Sequence, residues 1–545
     1  MPELKYLKTI GGFHGISAVF PKLQDVIDYE EGNIYINQGY PRFVSHPTVK
    51  ILELKYKKKY KSFESISCHS FESAIFLVFD YFYQKGCKIF IDDKLTKILS
   101  IYFKEKFPDI IIEVDPNEAE VIFISNLEDF IENKIVIGIF NEKDLSELID
   151  SITFSIIIIN EITFDIGIIL IFSSRYKILK TLRRHCGFNV SSRKFLKVYI
   201  NKQKEAELEY KLKSTISKLE HLKSNHCYLY SSGMAAVFSS IFSLMSVERP
   251  KFILLGSLYV DTLRILEKWP KKFGLKKPIF IRTDIENNFQ KYIDDEVTAV
   301  IIEVPSNPLI QLVDISKIVS IAHSHGSKVL VDNTIATPYN FNPFDYDVDV
   351  VVHSTTKFLS GKNNHIGGTV LTNNERIGDN IKRLNNLLQL KMHINDIKTL
   401  NRNIKSFEER MVKINRNAEI IANFLNNHES VEKVYYPSLR NNPNRELKEK
   451  YLRAGGGLLS FVLKDSSEEN AMKFYDNILP PILKGPSLGS EKTLLSPYVM
   501  MAHYDDSEKE LERLGFDFYL MRISVGVEKI DLIIKSLENG LNQLK

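Results

Sequence analysis

The chain has 545 residues and a mass of 62.9 kDa, room for about three or four domains at roughly 100–200 residues each. Hydrophobic residues make up 44% and charged residues 26%, the ordinary globular range, which excludes disorder as a description of the whole. Lys plus Arg number 72 against 68 Asp plus Glu, a net charge of +4, too balanced for a nucleic-acid binder. The densest basic run, Lys57-Lys58-Lys59, reads as a solvated helix end. Cys68, Cys87, Cys186 and Cys227 show no metal-ligand spacing and no disulfide framework. No metal site is expected, and a reducing, cytoplasmic setting fits best. The first residues carry no apolar signal core. The longest apolar segment, Ile166 to Phe172, is about a third of a membrane span and reads as a buried strand; no membrane partner is expected.

In chain order, short β-branched runs alternate with helical patterns. Leu208, Leu212, Ile216, Leu219 and Leu222 recur at helical spacing in a highly charged segment. Phe252–Leu255, Ile279–Ile281, Ala299–Val304, Val329–Val331 and Val348–Val352 are continuous apolar runs, as in a parallel sheet covered on both faces. A helical stretch, Ile315–His325, falls between two of them. This alternation predicts a three-layer α/β domain. Ile404, Phe407, Met411, Ile414, Ala418, Ile421 and Leu425 form a second apolar stripe, read as the bridge into a smaller C-terminal α/β domain. There, Ala454–Phe461 enters a strand through glycines and Leu520–Val527 reads as another.

The most informative stretch is Val329-Leu330-Val331-Asp332-Asn333-Thr334, followed by His353-Ser354-Thr355-Thr356-Lys357. Asp332 stands at the carboxyl end of an apolar strand, the edge where α/β sheets bind ligands. Lys357 follows a second such strand and a set of small hydroxyl residues. A lysine that can form a Schiff base, hydroxyls that can hold a phosphate and an acid for a pyridinium nitrogen are the groups pyridoxal phosphate requires. Tyr230-Ser231-Ser232-Gly233-Met234-Ala235-Ala236 precedes an apolar helix whose first N–H groups can cradle a phosphate. Tyr259 can stack on a flat ring, and Glu303-Val304-Pro305-Ser306-Asn307-Pro308 closes another strand with an amide at its tip.

The ordered set SSGM, a tyrosine, E-x-PSNP, VDNT and HSTTK resembles the Cys/Met-metabolism family of pyridoxal-phosphate enzymes, and within it the fungal-type cystathionine γ-synthases. Gly485-Pro486-Ser487-Leu488-Gly489, Thr493-Leu494, Pro497, Ala502-His503-Tyr504 and Arg522–Glu528 extend the likeness to the C-terminus. Tyr29–Gly32 and Gly39–Phe43 extend it to the N-terminus. The resemblance implies a type I aminotransferase-like fold and pyridoxal 5'-phosphate as cofactor. It implies Lys357 as the Schiff-base lysine and proton shuttle, Asp332 at the ring nitrogen, and Tyr259 stacked on the ring. Ser232, Gly233, Met234, Ser354 and Thr356 would hold the phosphate. Asn307 and Arg522 would position the substrate carboxylate, with Ser487 and Thr493 also at the substrate. The implied reaction is γ-replacement on an O-acylhomoserine, with cysteine entering to give cystathionine. A sulfhydrylase, a γ- or β-lyase, an enzyme taking a carbon or nitrogen nucleophile, and a silent regulatory relative are the alternatives. Lys492 stands where the family often has an acid, which leaves the nucleophile open.

The first 185 residues read as a degenerate copy of the catalytic unit. Phe164–Tyr176 can be laid without gaps on Tyr346–Phe358, which puts Arg175 at Lys357; with small gaps Asn160 falls on Asp332. Ser70-Phe71-Glu72-Ser73-Ala74 falls on Ser232–Ala236. An arginine stays protonated and forms no Schiff base, so this copy is expected to be inert. In the family a Tyr-x-Arg head reaches the neighbouring subunit's phosphate. Tyr40-Pro41-Arg42 matches that head, whereas the second copy's head, read at Cys186-Gly187-Phe188-Asn189, has lost both groups. The expectation is an internal pseudo-dimer in which Tyr40 and Arg42 contact the cofactor, within a homo-oligomer acting on small amino-acid substrates. The expected segments are an arm (1–60), the degenerate copy (61–183), the catalytic domain (184–400) and the small domain (401–545).

Overall fold

The computed structural model describes residues 9–10, 17–31, 33, 47–60, 63–82, 88–91, 111–113, 115–124, 135–141, 156–162, 165–171, 173–196, 201–246, 248–268, 275–282 and 284–544. Three sheets carry the fold. The first holds β1 (Glu64–Cys68), β2 (Lys88–Ile91), β3 (Ile111–Glu113), β4 (Val121–Ile124), β5 (Ile135–Asn141), β6 (Ile156–Glu161) and β7 (Ile166–Ile171). The second holds β8 (Cys227–Tyr230), β9 (Lys251–Leu255), β10 (Ile279–Ile281), β11 (Val297–Glu303), β12 (Lys328–Asp332), β13 (Val350–His353) and β14 (Gly368–Thr372). The third is a smaller sheet of five strands between Val431 and Ser524. It is reached through a long helix, Phe407–Asn426, whose Phe407, Met411, Ile414, Ala418, Ile421 and Leu425 are buried as the apolar stripe predicts. The α/β fold read from the strand pattern is the fold observed.

The two large sheets have one topology. The first runs β1-β7-β6-β5-β4-β2-β3 and the second β8-β14-β13-β12-β11-β9-β10. In each, the seventh strand is antiparallel to both its neighbours and all other pairs are parallel. The central strands β6, β7 and β11 are buried along nearly their whole length, as in a sheet covered on both faces. Two glycines set the equivalence residue by residue. Gly167 pairs with Cys68, and Gly368 with Tyr230, each the last residue of its unit's first strand. A Cβ on Gly167 would lie 2.5 Å from Ser70 O and 2.6 Å from Ala74 Cβ; one on Gly368 would lie 2.4 Å from Ser232 O and 2.9 Å from Ala236 Cβ. The helix α1 (Phe71–Phe82) therefore matches α4 (Gly233–Leu244), with Ser70 at Ser232 and Phe71 at Gly233. Between them in the chain lie α2 (Ser173–His185) and α3 (Lys202–Leu219); α5 (Glu375–Leu388) follows β14 as α2 follows β7.

This register corrects part of the sequence alignment. β7 matches β14, not β13. Arg175 lies in the first turn of α2 and is not at the position of Lys357. Asn160 pairs with Gly167, which puts it at the position of Ser354, not of Asp332. Carried across the ladders, Ile139 stands where Asp332 stands: it faces Ile158, as Asp332 faces Val352. The lysine-bearing connection is itself missing. Residues 354–367 join β13 to β14, whereas only residues 162–165 join β6 to β7. A strand followed by hydroxyls and a cation is a generic pattern, which is why the ungapped alignment slipped by one strand. The first unit thus has a phenylalanine for the cradle glycine, an isoleucine for the acid and no lysine loop. Lys194 Nζ, buried, donates to His69 O and Asp165 O (both 2.7 Å) beside its Ser70.

The two units meet through equivalent residues. Phe76 and Phe238 occupy matching positions on α1 and α4, and their rings pack edge to face at 5.8 Å. Phe188 and Phe242 join them at 5.3–6.0 Å. Contact of a residue with its own counterpart is the mark of a two-fold interface, here inside one chain, and one apolar core runs through both units. Phe76→Ala removes an aromatic ring from that core and is expected to cost about 3–5 kcal/mol. Urea unfolding followed by circular dichroism checks this, with a fall in the transition midpoint as the expected outcome.

Candidate active site

One cavity opens at the carboxyl ends of β11, β12 and β13, the edge where such sheets bind ligands. Its floor is acidic. Asp332 ends β12 and accepts from Thr334 N at 3.0 Å. Glu303 ends β11, pairs with Asp332 in register, and accepts from Tyr259 N at 2.7 Å. Burial raises both carboxyls above their ordinary values, Glu303 further because the Asp332 charge adds to it. Behind them, Glu220 at the end of α3 accepts from Asn333 Nδ2 (2.8 Å) and meets His353 Nε2 at 2.5 Å. The Thr334 hydrogen bonds and, to a lesser degree, the imidazole offset part of the rise at Asp332. Two buried acids side by side fit a cation held above Asp332.

At one end of the cavity lies the start of α4. Ser232 caps the helix, accepting from Ala235 N at 3.0 Å while its hydroxyl donates to Gly187 O at 2.8 Å. A Cβ on Gly233 would lie 2.7 Å from Ser354 Cβ and Oγ. Only glycine lets the two walls close to that distance, which leaves Gly233, Met234, Ser354 and Thr356 around one small polar recess. Unpaired N–H groups at a helix start suit an anion. The Ser354 N–H is held by Thr334 Oγ1 (2.8 Å), and Thr356 Oγ1 bonds to the backbone of Gly367. Phe71, at the glycine position of the first unit, puts a ring there.

Lys357 reaches the cavity from the turn after β13. Its Nζ donates to Ser487 Oγ at 3.0 Å. The small domain backs this turn: Gly489, at φ +77°, lies so close that a Cβ would meet Phe358 N at 2.4 Å. Arg522, on the third sheet, also lines the cavity and is 2% exposed; its charge acts on Glu303. Arg522 Nη1 donates to Asn307 Oδ1 (3.0 Å) and its Nη2 to Pro486 O (2.8 Å), while Asn307 Nδ2 donates to Tyr498 OH (3.0 Å). The guanidinium stacks 4.4 Å from the Tyr498 ring. Tyr259 lines the cavity between the two ends, its OH donating to Asp261 Oδ2 at 3.1 Å.

The structure thus brings Ser232, Gly233, Met234, Tyr259, Asn307, Asp332, Ser354, Thr356, Lys357 and Arg522 to one cavity. Ser487 touches it through Lys357. Thr493 is not in its wall: its N and Oγ1 are spent on Glu528 (2.8 and 2.9 Å), and it accepts from Gly526 N. Lys492 is exposed and also stands away from the wall. Tyr40 and Arg42 lie outside the described residues. Cys186–Asn189 does not head the second unit. Gly187 (φ +71°) and Phe188 close the last turn of α2 by bonds to Arg184 O and Arg183 O, and the segment then lies against the start of α4. Arg184, Asn189, Asp261, Thr334 and Tyr498 also line the cavity, although the sequence assigned none of them to cofactor or substrate. Asn189, Asp261 and Thr334 lie inside motif segments (Cys186–Asn189, Tyr259–Leu263 and Val329–Thr334) and Tyr498 follows Pro497; for Arg184 the sequence shows only a basic helix end. Among the described residues no cluster of three or more metal-ligating side chains occurs, and no helix is long and apolar enough to cross a membrane.

Residues 188–542 match the family described as Cys/Met metabolism PLP-dependent enzyme. A cystathionine beta-lyase of Lactococcus lactis is 34% identical over 318 residues, 58% of this chain and 82% of its own length. A cystathionine gamma-synthase of Neurospora crassa is 34% identical over 343 residues, 61% of this chain and 54% of its own. Among solved structures, a cystathionine gamma-lyase from Lactobacillus plantarum, complexed with L-serine, superposes with a TM-score of 0.58 at 28% identity, covering 64% of this chain and 90% of that one. The matched region contains every cavity residue named above except Arg184 and leaves the first unit outside it. The glycine-walled recess, the paired acids and the lysine fit the phosphate, ring nitrogen and aldehyde of one group. The chain belongs to the Cys/Met metabolism family of enzymes, whose cofactor is pyridoxal 5'-phosphate.

Proposed function

We propose that the enzyme carries out γ-replacement on an O-acylated homoserine, with the thiol of cysteine entering at Cγ to give cystathionine. The observation that carries this reading is the buried Arg522, held by Asn307 and Pro486 O in the cavity that Lys357 and Asp332 also line. A fixed guanidinium fork suits an α-carboxylate, which presents the amino acid's Cα to Lys357. The fungal-type motifs and the Neurospora crassa relative favour replacement within the family.

Bound pyridoxal phosphate supplies a carbonyl carbon for the substrate amine and a ring that accepts electrons. The chain's own residues then divide the work. Asp332 holds a proton at the ring nitrogen. The recess formed by Ser232, Gly233, Met234, Ser354 and Thr356 holds the phosphate, and Tyr259 covers the ring. The Lys357 amine would take the Cα proton, take a proton from Cβ before the acyl group leaves and return protons to Cβ and Cα after the thiol adds, with Ser487 Oγ orienting it from the small domain. Tyr40 and Arg42 are retained as proposed cofactor contacts from the arm, and a homo-oligomer in the cytosol as the proposed setting. The Cγ–O bond breaks with its electron pair leaving on the carboxylate. The C–S bond forms from the cysteine thiolate, whose proton goes to solvent.

The test is product analysis by mass spectrometry. With O-acylhomoserine and cysteine together, cystathionine is the expected product, falling to background when cysteine is omitted. Formation of 2-oxobutyrate alone, or conversion of supplied cystathionine to homocysteine and pyruvate, would overturn the reading in favour of a lyase.

A further inference from the structure

The inert first unit sends one charged group into the live site. Arg184, in the last turn of α2, lines the same cavity as Ser232, Gly233 and Lys357. Three residues on, Gly187 O accepts from Ser232 Oγ, and a Cβ on Gly187 would lie 2.2 Å from Ala235 N. The end of α2 is thus pressed against the first turn of α4, where the phosphate recess lies. Arg184 Nη2 contacts His185 Nε2 at 3.2 Å and stands 3.6 Å from Asp261 Oδ1, while its buried Nε has no hydrogen-bond partner among the described residues. A guanidinium that lines a cavity beside a helix start with donors to spare suits an anion there.

The internal two-fold supplies an independent comparison. Ser70 Oγ donates to Leu388 O at the end of α5, as Ser232 Oγ donates to Gly187 O at the end of α2. The backbone bonds from His69 N to Phe188 O and from Ser231 N to Leu390 O match Arg184 to Asn386, and the two serine bonds match it one residue earlier, to Asn385. The helix end that faces the dead recess carries Asn385-Asn386. The helix end that faces the live recess carries a cation.

We infer that Arg184 binds the phosphate of pyridoxal phosphate, so that the degenerate unit serves as a built-in partner subunit completing the cofactor site. This rests on the assignment of the cavity to that cofactor. The contact is charge-assisted and specific to the phosphate end.

The test compares pyridoxal phosphate with pyridoxal, which lacks the phosphate, by absorbance titration of the apoenzyme and of its Arg184→Ala and Arg184→Lys variants. For R184A the expected result is an affinity for pyridoxal phosphate lowered about tenfold to a hundredfold, with the affinity for pyridoxal changed less than about threefold. R184K is expected to recover part of the loss. Equal losses for both aldehydes would overturn the inference, since Arg184 would then only neutralise Asp261 and hold the Tyr259 wall. Unchanged affinity for pyridoxal phosphate would overturn it too. Failure of the unsubstituted enzyme to bind either aldehyde would instead sink the cofactor assignment on which the inference rests.

Discussion

Lys357→Ala is expected to lower turnover by about 10³-fold or more and to leave pyridoxal phosphate bound without a covalent link. Among the described residues, Lys357 is the one lysine in the cavity wall. Its backbone is fixed from both sides, by Gly361 N on its own turn and by Gly489 from the small domain. The amine sits 3.0 Å from Ser487 Oγ. Its removal takes away both the attachment point and the base, while the phosphate recess stays built. Stopped assays with a discontinuous product readout measure the first effect. Gel filtration followed by absorbance measures the second: the cofactor should co-elute with K357A, and denaturation should release it as the free aldehyde.

Asp332→Asn is expected to be nearly as damaging, for a different reason. The carboxyl lies on the sheet floor beside a second buried acid, and burial raises its pKa. That buried charge is favourable only when a cation stands against it, which in the proposed assignment is the protonated ring nitrogen. Taking one partner from a buried charge pair costs about 3–5 kcal/mol, a factor of about 10²–10⁴ in rate. Because asparagine keeps the shape and can still accept from Thr334 N, the fold should survive with an unchanged melting temperature. A drop in kcat with the substrate KM little changed is the expected pattern. Since the proposed role of the acid is at the ring and not at the substrate carboxylate, a large rise in KM alone would contradict the assignment.

Much of the live site could be read from the sequence because its chemistry sits on strand ends. Apolar runs such as Val329–Val331 end in Asp332, and Val348–Val352 lead to Ser354, Thr356 and Lys357. The strand ends observed differ from those readings by only a few residues. The internal repeat was legible as a fact but not in its register. Continuous burial on both faces makes every strand followed by hydroxyls look alike, and the true alignment is set by two contacts, Gly167 on Ser70 and Gly368 on Ser232, which join residues far apart in the chain. Thr493 was misplaced because its motif runs beside the cavity while its hydroxyl turns to Glu528. Arg184 could not be read at all. A basic residue in the last turn of a helix is ordinary helix-end chemistry, and only the packing of α2 on α4 turns it toward the recess.

The duplication leaves the acid, glycine and lysine proposed for the cofactor in one unit only. The second unit holds the acid, the glycine and the lysine; the first holds Ile139, Phe71 and a short connection in their places. The central claim is that one amine of one unit carries the chemistry. Saturating the enzyme with pyridoxal phosphate, reducing it with borohydride and mapping the peptides tests that claim directly. The account predicts a single tag per chain, on Lys357. Two tags per chain, a tag on another lysine such as Lys194, or no tag at all would contradict it.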